Sequence, residues 1–258
     1  MTIDSHCHLC QEDYNMPIDD VIQRALTAGV GHMLAVACNP DDYIELKTLL
    51  QKYPCLFGAF GIHPEYAHLG YDLKKLKEYL SLPCVVALGE CGLDYHEAEA
   101  TPDQQKDLFL RQIDLAHECH LPLMIHARDA EGDTREILKK VYREGKLTDG
   151  FVLHCFSGSL DMAKEVVQMG GYLSASGVIT FKNAERVREI FAQIRLENLL
   201  VETDAPFLAP HPFRGKQNEP AYVQYTLEKL AEIKGISVDQ MEQTTTENFY
   251  RLYHRGSR

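Results

Sequence analysis

The stretch CVVALGECGLDY, residues 84–95, decides how the rest of the chain is read. Val85 to Gly89 is apolar without alternation, as expected of a strand buried on both faces. It runs directly into Glu90. A carboxylate at the end of such a run is costly unless something compensates its charge. A metal ion would do so, and the two carboxylate oxygens can bridge two ions.

The same plan recurs outward from this point. LPLMIH ends in His126, FVLH ends in His154, LLVETD ends in Asp204, and the opening TIDSHCH carries His6 and His8. Eight strand-like runs can be read: Thr2–His8, Met33–Ala37, Leu56–His63, Val85–Gly89, Leu123–His126, Phe151–His154, Tyr172–Ser176 and Leu199–Glu202. They recur roughly every 25–35 residues, the spacing of a strand plus a crossover helix.

Helical patterns fill the gaps. Ile18, Val21, Ile22, Ala25 and Leu26 follow Pro17 at helical spacing, and Gly29 stops them. Thr101, Pro102 and Gln104 read as N-cap, first helical position and capping-box partner, with Leu108, Phe109, Ile113 and Ala116 as the inward stripe. Val187, Ile190, Phe191 and Ile194 form another stripe, and Val223, Leu227, Leu230 and Ala231 follow the last strand. Ser237 and Gln240 can cap a short helix, and Asn248, Phe249 and Leu252 fall in a final one.

This unbroken series of βα units predicts a TIM (β/α)8 barrel, one domain over residues 1–258. A doubly wound open sheet is the structural alternative. It would not bring ligand-type side chains from strands 1, 4, 5, 6 and 8 to one point. In a closed parallel barrel the strand C-termini share one face, where active sites sit.

Composition narrows the function classes. The 258 residues are 45% apolar, enough for a sizeable core, and the net charge of −12 disfavours a broad basic face for duplex DNA. A phosphate pocket neutralised by cations remains compatible with that charge. The N-terminus has no basic start followed by a long apolar stretch, and no run approaches the roughly 18–20 apolar residues of a membrane span. A cytoplasmic location is expected, with no membrane association and no obligate protein partner evident. Of eight cysteines only Cys7 and Cys10 have CxxC spacing, and no second pair follows to complete a zinc ribbon. Cys7, Cys91 and Cys155 each adjoin a candidate ligand, so they are expected to point into the barrel–helix layer as free thiols.

The candidate site follows residue by residue. His6 and His8 are two apart in a strand and share a face. Asp4, on the same alternation, either orients a histidine from beneath or is simply a buried carboxylate. His6, His8 and Asp204 would form one ion site, His126 and His154 a second, and Glu90 would bridge them. Mixed nitrogen and oxygen donors favour Zn, Mn, Fe or Co over a magnesium cage of oxygens. Two ions about 3.5–4 Å apart would bind a bridging water, lower its pKa and clamp a phosphoryl oxygen. Glu202, one layer down, is expected to hydrogen-bond ligands. Asp94 is read as a helix cap in preference to a partner of a ligand.

His63, in GIHP, faces the same mouth, to contact substrate, move a proton or help hold a further ion. Asp204 or His63 would accept the water's proton. Arg128, two residues past His126, would hold a phosphate with its planar fork, or else pair with Glu131 or Asp133. The N–H groups of Ser157, Gly158 and Ser159 would receive a phosphate, unless Ser157 or Ser159 is an ordinary cap. Lys182 and Arg214 are loop cations on the pocket side.

The motifs IDSHCHL (3–9), GIHP (61–64), GECGLDY (89–95), IHARDA (125–130), LHCFSG (153–158), SASGVITF (174–181), VETDAPFLAP (201–210) and RGKQNEP (214–220) occur in this order. With them the chain resembles the TatD-type metal-dependent hydrolases, often described as TatD-related deoxyribonucleases. The resemblance covers nearly the whole chain. It implies a metal-dependent TIM barrel that cleaves phosphodiester bonds of DNA, single strands or ends, in an exonuclease-like manner. It implies two divalent ions (Zn, Mn, Fe, Co or Mg) on His6, His8, Glu90, His126, His154 and Asp204. A rival expectation is an amidohydrolase, lactonase or phosphotriesterase on the same barrel. Such sites often use a bridging carbamylated lysine, and here Glu90 stands at that place.

Overall fold

A computed structural model describes residues 1–69, 71–96 and 99–254. Eight parallel strands alternate with helices: β1 (Thr2–Cys7), β2 (Val30–Ala37), β3 (Leu56–Phe60), β4 (Val85–Asp94), β5 (Leu123–Arg128), β6 (Phe151–Leu153), β7 (Tyr172–Ala175) and β8 (Leu199–Val201). Each pairs with the next, in the order β1 to β8. The ring comes together through the segment after β8: the Asp204 N–H donates to the His6 carbonyl (3.0 Å), and the His8 N–H donates to the Ala205 carbonyl (2.8 Å). The predicted barrel is thus the observed architecture.

Strand alternation sorts the apolar residues into two layers. Met33, Ala35, Phe60, Leu88, Ile125, Leu153, Leu173 and Val201 face outward and pack against the helices. Cys7 and Cys91 lie in that layer as expected. Leu34, Val36, Ala59, Val86, Met124, Val152 and Leu200 face inward and form a second cluster with Phe249, Leu252 and Tyr253. Those three come from the last helix and the residue that ends it. The barrel's lower end is therefore plugged by a helix, and each large side chain buried there contributes roughly 1.5–3 kcal/mol.

The helices follow the sequence cues. α1 (Ile18–Thr27) buries Ile18, Val21, Ile22 and Ala25, while Leu26 is exposed rather than part of the stripe. The ring between β2 and β7 is completed by α2 (Tyr43–Lys52), α3 (Leu73–Leu80), α4 (Pro102–Cys119), α5 (Glu131–Arg143) and α6 (Leu160–Gln168). α7 (Glu185–Gln193) and α8 (Val223–Lys234) flank β8. α4 opens on the expected Thr101/Gln104 capping box. The two helices expected at the end are one, α9 (Val238–Leu252), opened by the Ser237/Gln240 box. Thr245 and Asn248 stay buried along it, so nothing interrupts its packing on β1 and β8.

Two departures from regular alternation shape the upper end. In β4, Leu88 pairs with Leu123 but Cys91 pairs with Ile125, so three residues oppose two. In β1, Asp4 pairs with Met33 but Cys7 pairs with Ala35, again three against two. Such bulges re-aim side chains. Glu90 lies in the first and His6 in the second. Glu90 therefore sits inside a strand that continues to Asp94, not at its end as expected. Gly92 makes the continuation possible. Its φ is +135°, and a Cβ there would lie 2.0 Å from the His126 carbonyl oxygen.

Candidate metal centre

At the open end the strands deliver their polar side chains to one point. His6 and Glu90 are almost completely buried, His154 nearly so, and His8, His63, His126 and Asp204 line the rim of the same centre. The two oxygens of Glu90 divide the histidines between them. Oε1 lies 2.6 Å from His154 Nε2, 2.8 Å from His126 Nδ1 and 3.7 Å from His63 Nε2. Oε2 lies 3.5 Å from His6 Nε2 and 4.0 Å from His8 Nε2. Asp204 Oδ1 completes the second group, 3.6 Å and 3.7 Å from the same two nitrogens. The six residues expected as ligands thus lie together around Glu90.

Electrostatics favours the charged forms of Glu90, His8 and His154 and the neutral forms of His6 and His63. Burial alone would raise the Glu90 carboxyl, but His154, His126 and His63 together outweigh it and hold it well below the usual carboxylate range. Burial would lower His154, yet Glu90 and Glu202 push it well above the ordinary imidazole value. His8 is raised against its burial by Asp204 and Glu90. His6 is lowered by burial and by the neighbouring His154. His63 is lowered to about 4, chiefly by burial.

The donor set fits a cation. His6 Nε2 and His8 Nε2 face each other at 3.2 Å, as do His126 Nδ1 and His154 Nε2. Facing imidazole nitrogens need a proton or a metal ion between them. The buried His6 Nδ1, His154 Nδ1 and Glu202 Oε2 have no hydrogen-bond partner. Three groups, His6/His8/Glu90, His63/Glu90/His126 and His6/His154/Glu202, each bring their donor atoms within 4.8 Å of one another. Imidazole nitrogens with carboxylate oxygens suit Zn, Mn, Fe or Co.

The surrounding residues correct several expectations. Asp94 is a partner of a ligand, not a helix cap: its Oδ2 lies 2.9 Å from His126 Nε2. That contact leaves His126 Nδ1 turned toward Glu90, and supports of this kind set ring orientation at metal sites. Asp4 does not orient a histidine ring. The bulge in β1 takes it off the His6 face, and its carboxylate accepts from the Thr203 N–H and hydroxyl and the His6 N–H. Glu202 accepts from the Cys155 N–H (2.7 Å), and its Oε1 lies 3.4 Å from His154 Nδ1, an ion-pair distance in place of the expected hydrogen bond to a ligand. Cys155 has left the strand at φ +44°, and its sulfur meets Ser176 Oγ at 3.1 Å instead of entering the barrel–helix layer. No disulfide joins the cysteines among the described residues.

Around the rim, Arg128 is exposed and makes no ion pair among the described residues. Glu131 is engaged by Ser159 and Arg135, and Asp133 by Tyr95 and Lys106. Ser159 caps α6, and its N–H and hydroxyl both donate to Glu131, so that group is not open to a phosphate. Ser157 is exposed, its carbonyl accepting from Arg186. Lys182 is exposed. The Arg214 guanidinium carbon lies over Phe181, 3.7 Å from the ring centroid.

One residue escaped the sequence reading. Cys38 follows β2 directly, and its thiol lies 3.4 Å from Glu90 Oε2. The strand-end rule applied to the second strand would have found it.

Comparison with known proteins agrees with this geometry. The chain matches the family described as TatD related DNase over residues 3–254. It is 42% identical over 255 residues to the uncharacterized metal-dependent hydrolase YabD of Bacillus subtilis, covering 98% of this chain and 99% of that one. It is 41% identical over 256 residues to the uncharacterized metal-dependent hydrolase YcfH of Escherichia coli K12, covering 98% and 95%. The crystal structure of YJJV, a TatD homolog from Escherichia coli K12, superposes with a TM-score of 0.90 at 31% identity, covering 98% of both chains. With the barrel, the family match over residues 3–254 and these relatives together, the chain belongs to the TatD family of metal-dependent hydrolases.

Proposed function

We propose that the protein hydrolyses phosphodiester bonds of DNA, using two divalent cations. The observation that carries this reading is the division of the Glu90 carboxylate: Oε1 serves His126 and His154, and Oε2 serves His6 and His8 with Asp204 alongside. One carboxylate between two donor groups is the arrangement that seats a pair of cations. The name of the matched family points to DNA as the substrate.

His6, His8 and Asp204 would hold one cation, His126 and His154 the other, with Glu90 shared. When bound, such cations supply a water of lowered pKa and neutralise charge on a phosphoryl oxygen. The protein's own groups do the rest. Asp204, at the open rim, accepts the water's proton. His63 is the less suitable base, because its Nδ1 already accepts from the Glu65 N–H (3.2 Å). The remaining nitrogen, Nε2, then carries the proton and donates toward substrate. Arg128, unpaired and two residues beyond His126, meets a phosphate oxygen and stabilises charge that grows during attack. Ser157 and Arg214 contact the strand farther from the reacting atoms.

The reading is tested by loading the protein with Mn, Zn, Co or Mg and offering single-stranded DNA, duplex DNA, lactones and amides. Hydrolysis of DNA is expected. Intact DNA under every ion, together with lactone or amide turnover, would replace this reading by an amidohydrolase-type one. Arg128→Ala is expected to raise KM for DNA about tenfold, near the 1.5–3 kcal/mol of a hydrogen bond to a charged group. Its melting temperature should match wild type, because the side chain has no ion-pair or hydrogen-bond partner among the described residues. An unchanged KM would remove Arg128 from the site.

A further inference from the structure

We propose that Phe207 is a stacking platform for one unpaired nucleobase next to the bond being cleaved. This inference rests on the phosphodiesterase reading above.

Phe207 is 54% exposed, although it lies beside a mostly buried polar centre. Its ring centroid is 5.8 Å from that of His8, with the planes at 74°. An exposed phenyl ring in contact with a candidate ligand is not explained by core packing. Nor is it on a loose tip. The Phe207 N–H donates to the Asp204 carbonyl (2.9 Å), and its carbonyl accepts from Asn218 Nδ2 (2.6 Å). Asn218 is fully buried and also donates to the Thr203 carbonyl (2.9 Å). The backbone beneath the ring is thus fixed, and a fixed ring loses little freedom when a flat partner settles on it.

The ring belongs to a longer ridge. Leu208 beside it is also exposed. The same loop rests on the segment after β7: a Cβ on Gly177 would come within 2.3 Å of the Leu208 carbonyl, and the His211 N–H donates to Thr180 Oγ1 (2.8 Å). The next residue of that segment, Phe181, has the Arg214 guanidinium over its ring. A hydrophobic step and a cation seated over an aromatic ring therefore lie along one pair of packed loops. Single-stranded nucleic acids are held by this combination, base faces on aromatic rings with arginine beside them. A duplex offers no free base face, since its bases are stacked on each other. With a net charge of −12, the chain has little general attraction for a phosphate backbone, so stacking has to supply a larger share of the grip.

The chain contains no tryptophan, so Phe207→Trp places a single indole at this position. Metal-loaded wild type, Phe207→Ala and Phe207→Trp are compared on a short single-stranded oligonucleotide and on copies with an abasic unit at each position in turn. Wild type should cleave the intact strand better than one particular abasic copy. In Phe207→Ala that preference should fall by about 5- to 150-fold, the range of one lost base stack. Phe207→Trp should keep it, with indole emission quenched by the intact strand and not by that copy. Any damage to His8 or the metals slows both substrates alike and leaves the ratio unchanged. A preference untouched by Phe207→Ala, or quenching equal for both strands, overturns the proposal while leaving the nuclease reading in place. Wild type that cleaves no oligonucleotide removes both, and is seen before any variant is made.

Discussion

Replacing Glu90 by glutamine is expected to lower kcat/KM by about a thousandfold or more, roughly 4 kcal/mol of barrier. The amide has nearly the same volume, so packing in β4 is kept. It cannot carry the charge that His126, His154, His6 and His8 surround at 2.6–4.0 Å. It also puts N–H donors where imidazole donors already point. Metal content, measured by mass spectrometry on the dialysed protein, should fall with activity, and circular dichroism should show the barrel intact. A variant that retains its full metal complement and wild-type turnover would remove Glu90 from the centre and with it the shared-carboxylate reading.

The largest effect on stability is expected at Asp4. This residue is fully buried and joins β1 to the segment after β8. Asp4→Ala strips the acceptor from the Thr203 N–H and hydroxyl, and each orphaned buried donor costs about 1–3 kcal/mol. A loss of about 3 kcal/mol or more is expected in urea unfolding. Asp4→Asn should lose less, because one carbonyl acceptor remains. The two variants also differ in pH response. Burial pushes the Asp4 carboxyl up to about 8, against three hydrogen bonds that pull the other way. The unfolded chain releases this proton near the ordinary aspartate value of about 3.9. The contribution of Asp4 is therefore fully present below about pH 4 and lost as pH rises toward 8. Wild type should lose stability relative to Asp4→Asn between pH 5.5 and 8.5. Parallel profiles would show that Asp4 is ionised throughout.

The barrel was legible because period and spacing survive averaging over many residues. Apolar runs such as Val85–Gly89 needed only length and the absence of alternation, and Thr101/Gln104 needed only the chemistry of a helix start. The six donor residues were legible for the same reason: each stands at or near the end of such a run. What failed depended on single-residue geometry. Counting by twos placed Asp4 under His6, but a bulge between them breaks the count. Asp94 looked like a cap because its distance to His126 is set by how far β4 continues past Glu90, and only Gly92's close approach to β5 allows that. Arg128 had two carboxylates within a few residues, yet side chains remote in sequence, Lys106 and Tyr95 at Asp133 for one, had already claimed them. Such competition is invisible in the linear order.

The helix that plugs the lower end of the barrel has a consequence for traffic. With Phe249, Leu252 and Tyr253 filling the floor, no passage opens through the barrel's lower end among the described residues, so under the proposed reaction reactant and product share the open upper end. If the proposed cleavage of DNA holds, a fragment that still bears a phosphate has to leave by that end before the next turnover. Mononucleotides or inorganic phosphate at high concentration should therefore slow the enzyme in steady-state assays by competing for the entrance, and an absence of such competition would mean that release is never the slow event.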